Sequence, residues 1–424
     1  MRLRTLPSHD HPPPPPAALP NRGWTVTSAG LGINLALGVL YTWSLFKGAI
    51  EKEFGWKGSR LNDPYALCCL VFAFAMILAG RCQDKFGPRL TASIGGLLVG
   101  LGMVLISTTT SYVVWLLGFG VLVGLGIGFG YSSATPPALK WFPPSKTGLI
   151  AGLVVAGFGL APVYLAPTSQ FLLGHYQVRT SMLILGVAFV VIVCGLAQLL
   201  VNPPPGYVAG PKPAAGAAAK PAAASATPSE VLRQPTFWLL WVIYFIGAGA
   251  GLMVIGSISG MAKTSMGELA FVAVAILAVG NAGGRILAGT LSDRIGRRWT
   301  LFLVLTIQAA LMLLAIPITA SKDMAAVVIV VVAALIGANY GANLALFPSY
   351  TKDLWGLKSF GMNYGLLFTS WGVGGLVLSR LQQTLTASSG GSYRSSFITA
   401  GVLLLVGAAL TFLIRPPQPK PRTN

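Results

Sequence analysis

The 424-residue chain is 54% hydrophobic and only 9% charged, with 52 glycines. A soluble surface needs roughly a quarter of its residues charged, so this composition excludes a soluble multidomain protein and fits a chain built for a bilayer. The 29 Lys and Arg against 10 Asp and Glu give a net charge of +19, which in a membrane protein reports orientation, and no nucleic-acid partner is expected.

Residues 1–22 carry the run His11-Pro12-Pro13-Pro14-Pro15-Pro16 where a cleavable signal would need an apolar stretch, and they read as a disordered cytoplasmic tail. Apolar stretches of about 20 residues, the length a helix needs to cross a hydrocarbon core of roughly 30 Å, follow one another down the chain. They fall at 24–46, 62–81, 89–108, 112–139, 147–171, 181–202, 236–260, 269–291, 299–319, 324–349, 359–380 and 395–414. Between the sixth and seventh, residues 203–235 pass from Pro203-Pro204-Pro205 through an Ala/Pro/Lys stretch to Gln234-Pro235, a composition that predicts a flexible linker. The expected organisation is an N-terminal six-helix bundle at 23–202, a cytoplasmic linker at 203–235, a C-terminal six-helix bundle at 236–415 and a tail at 416–424. The tails leave no room for a signalling domain.

Cys68, Cys69, Cys82 and Cys194 lie in or beside apolar stretches with no zinc, haem or disulfide spacing, and read as small apolar side chains. No intramembrane cluster of His, Asp and Glu and no phosphate-binding loop ending in Gly-Lys-Ser/Thr occurs, so no metal, cofactor or enzyme activity is expected. His175, near the outer end of the fifth span, reads as a surface group.

With the N-terminus inside, 19 of the 29 Lys and Arg fall on tails and loops of that side, nine on the other side, and one, Arg285, on neither. The acidic residues divide evenly, so the asymmetry belongs to the cations alone and places both termini in the cytoplasm. The expected location is the cell inner membrane, multi-pass, with the lipid bilayer as surroundings and a monomer as the assembly.

The loop after the second span reads Gly80-Arg-Cys-Gln-Asp84-Lys85-Phe-Gly87-Pro-Arg89, and the loop after the eighth reads Gly289-Thr-Leu-Ser-Asp293-Arg294-Ile-Gly296-Arg297-Arg298. Both fit one pattern: a glycine for close helix approach, a glycine for a tight reversal, and an acid placed for basic residues or a helix N-terminus. Trp141-Phe142-Pro143 after the fourth span is echoed by Leu346-Phe347-Pro348 after the tenth. A six-span unit has been duplicated in parallel.

Arg285 lies eight residues before Asp293, which at 1.5 Å per residue places it roughly 12 Å into the membrane, near the midplane. A charge there costs about 2.5–3.5 kcal/mol on insertion scales. No Asp or Glu lies in the interior of any span to pair with it. A guanidinium fork so placed suits a substrate carboxylate, which it can hold by two parallel hydrogen bonds. Asn281 stands one turn earlier on the same helix face. Tyr41, Tyr131, Tyr340, Asn343, Phe368 and Trp371 are the other candidate lining groups, able to read a hydroxyl or keto oxygen and to pack a short carbon skeleton.

Twelve spans, a central linker and two copies of the acidic loop together resemble the major facilitator superfamily. The resemblance implies twelve transmembrane helices as two pseudo-symmetric six-helix bundles that alternate access to a central site. In that family the loop, here Asp84 and Arg89, and again Asp293 and Arg297, steadies one access state. Tyr41-Thr42-Trp43-Ser44, the series Gly124 to Gly130 with Tyr131-Ser132, Lys140-Trp141-Phe142-Pro143, Gly148 with Gly152, Gly157-Phe158-Gly159, and Asn363-Tyr364-Gly365 through Trp371-Gly372 resemble the oxalate:formate antiporter branch and the monocarboxylate transporters. Arg285 matches the arginine that binds the substrate carboxylate in both.

The chain also departs from them. Asn281 stands where animal monocarboxylate transporters have an aspartate tied to proton coupling; Leu45 lies near where they have a lysine; and Trp371 stands where oxalate:formate antiporters tend to have a second cation. One cation balances one carboxylate, so the resemblance implies a secondary active transporter of small monocarboxylates such as L-lactate or pyruvate, moved with a proton. The alternative is a carboxylate antiporter acting on oxalate or formate.

Overall fold

The computed structural model describes residues 21–205, 207, 209, 225–266, 270–320 and 326–414, and the side chains among them except those of 254–274, 318–320, 326 and 329. Most of tail 1–22, the middle of the linker, the tail 416–424, and Lys263 and Lys322 lie outside these side chains.

Twelve long helices occur among the described residues. They are α1 (Gly23–Phe54), α2 (Asp63–Phe86), α3 (Pro88–Ser107), α4 (Tyr112–Trp141), α5 (Thr147–His175), α6 (Val178–Ala197), α7 (Pro235–Met266), α8 (Ala270–Ile295), α9 (Arg297–Ala320), α10 (Ala326–Trp355), α11 (Phe360–Ser388) and α12 (Arg394–Leu410). Ten are long and apolar enough over their described residues to cross a bilayer; the other two are α8, which carries Arg285, and α11, which carries Asn363, Thr369, Ser370 and Trp371. Several run past the apolar stretches that define them. α10 continues to Trp355 and α11 to Ser388.

Helices α1–α6 form one bundle and α7–α12 the other, and the two meet chiefly along two seams, α2 against α11 and α5 against α8. Glycine makes the seams possible. A Cβ on Gly80 would stand 2.2 Å from the Gly361 carbonyl carbon, and one on Gly365 2.3 Å from the Met76 carbonyl oxygen. On the other seam a Cβ on Gly148 would stand 2.1 Å from the Gly289 carbonyl oxygen and one on Gly152 2.4 Å from that of Arg285. Backbone therefore touches backbone at four levels, a spacing that only a missing side chain allows. Gly148, Gly152 and Gly159 of α5 thus face the second half, whereas Gly157 packs on Leu31 of α1 in its own half.

The turns α2–α3 and α8–α9 are single residues, Gly87 at φ 87° and Gly296 at φ 90°. Each reverses the chain in one step at a backbone angle that L side chains rarely adopt. Both lie on the face that carries the start of α1 and the end of α12, called here the terminal face.

The linker is more ordered at its ends than its composition predicts. Val201 accepts a hydrogen bond from Trp141 Nε1 at 2.8 Å, and the Tyr207 ring packs on Trp141. At the far end Thr227 and Glu230 form a reciprocal cap on a short helix, Pro228–Leu232, whose Val231 is fully buried. Trp355 Nε1 donates to Gln234 Oε1 at 2.9 Å, and Asn363 Nδ2 to the Ala226 carbonyl at 3.0 Å. Val231, the capping box and these hydrogen bonds together dock residues 225–235 on the second half, so the expectation of a flexible linker over all of 203–235 is corrected for both ends.

A central arginine in an aromatic cavity

Helix α1 tightens into a 3₁₀ stretch over Gly38–Thr42 where it crosses α5. A Cβ on Gly38 would stand 2.7 Å from the Phe158 carbonyl oxygen, so the close crossing and the tightened turn together set the position of Tyr41. Tyr41, Phe72, Tyr131 and Phe158 from the first half, and Arg285, Leu344, Phe368 and Trp371 from the second, line a cavity between the halves. Its volume is about 10 Å³, room for roughly one water molecule. The rings pack as one cluster, with Phe72 5.1 Å from Phe368 and 5.4 Å from Trp371, and Tyr131 5.5 Å from both Phe158 and Phe368.

Arg285 is fully buried. Its Nε donates to Asn281 Oδ1 at 3.1 Å, its Nη1 donates to the Val155 carbonyl of α5 in the other half, and its Nη2 has no hydrogen-bond partner. Asn281 thereby fixes the plane of the guanidinium from one turn away. Gly159 admits it, since a Cβ there would stand 3.2 Å from Arg285 Nε. Among the described residues no carboxylate pairs with Arg285; both ion pairs in the structure belong to Arg297. The site is a cation whose Nη2 group is free, walled by rings that lower the local dielectric and raise the strength of whatever charge it meets.

On the outer side of this cavity Trp371 Nε1 donates to the Tyr340 hydroxyl at 2.9 Å, and the Tyr340 and Tyr41 hydroxyls lie 3.2 Å apart, joining the halves. On the terminal side two further contacts join them. Helix α5 has no capping side chain of its own, and the amides of Gly148 and Leu149 donate instead to Asp293, at 2.8 and 2.9 Å. Helix α11 likewise has none, and the amides of Gly361 and Met362 donate to Asp84, both at 3.0 Å. Each acid of the repeated loop caps a helix of the opposite half, where a negative charge suits the helix dipole. Lys352 adds a third link, its Nζ donating to the Leu139 carbonyl at 3.2 Å.

A family model described as the Major Facilitator Superfamily matches residues 27–332 and 253–424. The chain belongs to that superfamily. Among curated relatives of this facilitator, an uncharacterized MFS-type transporter of Escherichia coli, YhjX, is 30% identical over 83% of this chain and 86% of its own. An oxalate:formate antiporter of Oxalobacter formigenes is 26% identical over 95% and 94%, and the bovine monocarboxylate transporter 13 is 26% identical over 92% and 89%. The crystal structure of the transporter FucP in the outward conformation superposes with a TM-score of 0.67 at 16% identity, covering 92% of this chain and 99% of that one. The facilitator fold, two six-helix halves around a central cavity, is therefore that of this chain, a multi-pass membrane transporter.

The structure gathers five of the eight lining candidates, Arg285, Tyr41, Tyr131, Phe368 and Trp371, at the cavity wall. Asn281 and Tyr340 stand one hydrogen bond behind it. Asn343 does not belong there: its Nδ2 donates to Gln308 Oε1 at 3.2 Å and to the Asn339 carbonyl at 3.0 Å, inside the second half. It faces α9 and α7, one helix face away from the cavity. Of the loop residues, Arg297 pairs with Asp293 and with Asp353, each at 2.8 Å, whereas Arg89 is exposed and makes no ion pair among the described residues. The spacing that repeats in sequence therefore repeats in the acid and the glycines, and not in the arginine. His175 is exposed at the end of α5, and all four cysteines are free thiols.

Phe72, Phe158 and Leu344 complete the wall without having stood out in the sequence. Phe158 sits inside the Gly157-Phe158-Gly159 motif, which marked the region. Phe72 and Leu344 are apolar residues in apolar runs and carry no signal of their own.

Proposed function

We propose that this facilitator is a secondary active transporter of small monocarboxylates, of the size and polarity of L-lactate or pyruvate, working by alternating access with the terminal face toward the cytoplasm of an inner membrane. The observation that carries this reading is the free Nη2 of a fully buried Arg285 with no carboxylate beside it. A carboxylate entering the cavity gives that donor its acceptor and neutralises the site, while the ring wall packs a short carbon chain. A single cation favours one carboxylate over two. Closure at the terminal face would be held by Asp84, Asp293 and Lys352, and rocking of the halves would break those contacts and open the site to that side. Relatives named for monocarboxylates and for oxalate and formate support the substrate class.

The reading includes proton symport. Among the described residues no Asp, Glu or His lines the cavity, so the substrate's own carboxyl is the group in the cavity best suited to carry a proton. The same observation favours a second reading, exchange of one carboxylate for another, which needs no proton carrier. Uptake of radiolabelled L-lactate, pyruvate, formate and oxalate into proteoliposomes, with an imposed pH gradient and with internal acids, separates them. Symport requires acceleration by an inward proton gradient without internal acid; exchange requires internal acid and ignores the gradient. Arg285→Ala must abolish uptake in a protein that still folds, and retained uptake sinks the assignment.

A further inference from the structure

Two buried polar atoms near the cavity do nothing in the contacts described so far. The hydroxyls of Tyr244 and Tyr364, with the rings 0% and 2% exposed, have no hydrogen-bond partner. Their rings are well used: Tyr244 stacks on Phe347 at 3.9 Å, and both meet Phe368 edge-on, at 6.2 and 5.7 Å. Phenylalanine at either position would keep those contacts and avoid desolvating a hydroxyl without return.

Their placement gives them a use. On α11 the residues Tyr364, Phe368 and Trp371 follow one another at helical spacing on one face, and α11 starts at the terminal face with Phe360. Phe368 and Trp371 are cavity wall, so Tyr364 lies between the cavity and the terminal face. Tyr244, nine residues after the start of α7, meets the same Phe368 ring that Tyr364 meets. Tyr131 joins them from the first half, its ring 5.5 Å from Phe368 and on the cavity wall with Arg285. Tyr244 and Tyr364 both belong to the second half and keep their relation when the halves rock; Tyr131 departs with the first. Opening the terminal face therefore uncovers a pair of neutral hydroxyl donors a step from Arg285.

We propose that Tyr244 and Tyr364 form a second carboxylate station on the terminal side of Phe368, which takes the substrate carboxylate from Arg285 before release and presents it to Arg285 on entry from that side. The proposal rests on the carboxylate reading of the Arg285 site. Neutral donors suit a station of passage, since they hold an anion more weakly than a guanidinium does and pass it on.

The test is radiolabelled L-lactate uptake at zero pH gradient in right-side-out and inside-out membrane vesicles of wild type, Tyr244→Phe, Tyr364→Phe and the double variant, with thermal unfolding measured alongside. The station predicts that the ratio of half-saturation concentrations between the terminal and opposite faces rises about tenfold in the double variant, as for loss of two neutral donors to an anion. A ratio that stays fixed overturns it, whether both constants move together or neither moves. Fixed ratios with a raised unfolding temperature show hydroxyls that only cost stability, which also overturns it. A wild type that moves no carboxylate from either face refutes the underlying transport reading, and the station falls with it.

Discussion

Replacing Asp293 by asparagine removes the charge from the contact that closes the α5–α8 seam and keeps its shape. In the closed arrangement the carboxylate accepts two backbone N–H groups at 2.8 and 2.9 Å and pairs with Arg297 at 2.8 Å. Asparagine retains one acceptor and turns an NH₂ group toward the second amide. Two charge-assisted bonds of about 2 kcal/mol each contribute about 4 kcal/mol and one neutral bond restores about 1, a net loss of about 3 kcal/mol. At 1.4 kcal/mol per tenfold this moves the balance between closed and open terminal faces by about 150-fold. Asp84→Asn should do less, since its bonds are 3.0 Å long, its carboxylate is more exposed and it has no arginine partner; about 2 kcal/mol, or roughly 30-fold, is expected. Spin labels on Lys146 and Arg294, both exposed and on opposite sides of the seam, read the outcome by electron–electron distance measurement in a cysteine-free background. The expected result is a new long-distance population, larger for Asp293→Asn than for Asp84→Asn. An Asp293→Asn distribution that matches the wild type refutes the reasoning, as does a reversed order of the two variants.

Gly152→Val should prevent the α5–α8 seam from closing, because even its Cβ would stand 2.4 Å from the Arg285 carbonyl oxygen; transport should fall at least tenfold while the folded helix content by circular dichroism is kept. Asn281→Leu removes the acceptor of Arg285 Nε and should weaken substrate binding about tenfold, read by isothermal titration with L-lactate. Asn343→Leu breaks the bonds to Gln308 and Asn339 and should cost about 1–3 kcal/mol of stability while the affinity for substrate stays within twofold, measured by unfolding and titration on the same preparation.

Much of this was legible in the residues. Arg285 announced itself as the one cation in an apolar run, and the repeated Gly-x-x-x-Asp loop announced both the duplication and the tight turns at Gly87 and Gly296. The partner of each acid was not legible. That Asp293 serves Gly148 and Leu149, some 145 residues away, depends on how two bundles pack, and α5 shows its need only as a missing cap. Asn343 misled for a related reason: a polar side chain in an apolar helix must face something polar, and sequence does not say whether that is a cavity or the Gln308 of a neighbouring helix. Phe72 and Leu344 were silent because an aromatic or aliphatic residue in a membrane helix looks the same on a cavity wall as in a core.

The exchanged caps have a further consequence. Because the first half's acid serves the second half's helix and the second half's acid serves the first's, the closure is isologous in the way of a two-fold dimer interface: the same patch, used twice, related by the pseudo-symmetry axis. Rotation about an axis lying between the seams strains both at once. On this geometry the two seams are expected to open together, held by two equivalent caps of unequal strength, the Asp293 cap also paired with Arg297 and the Asp84 cap not.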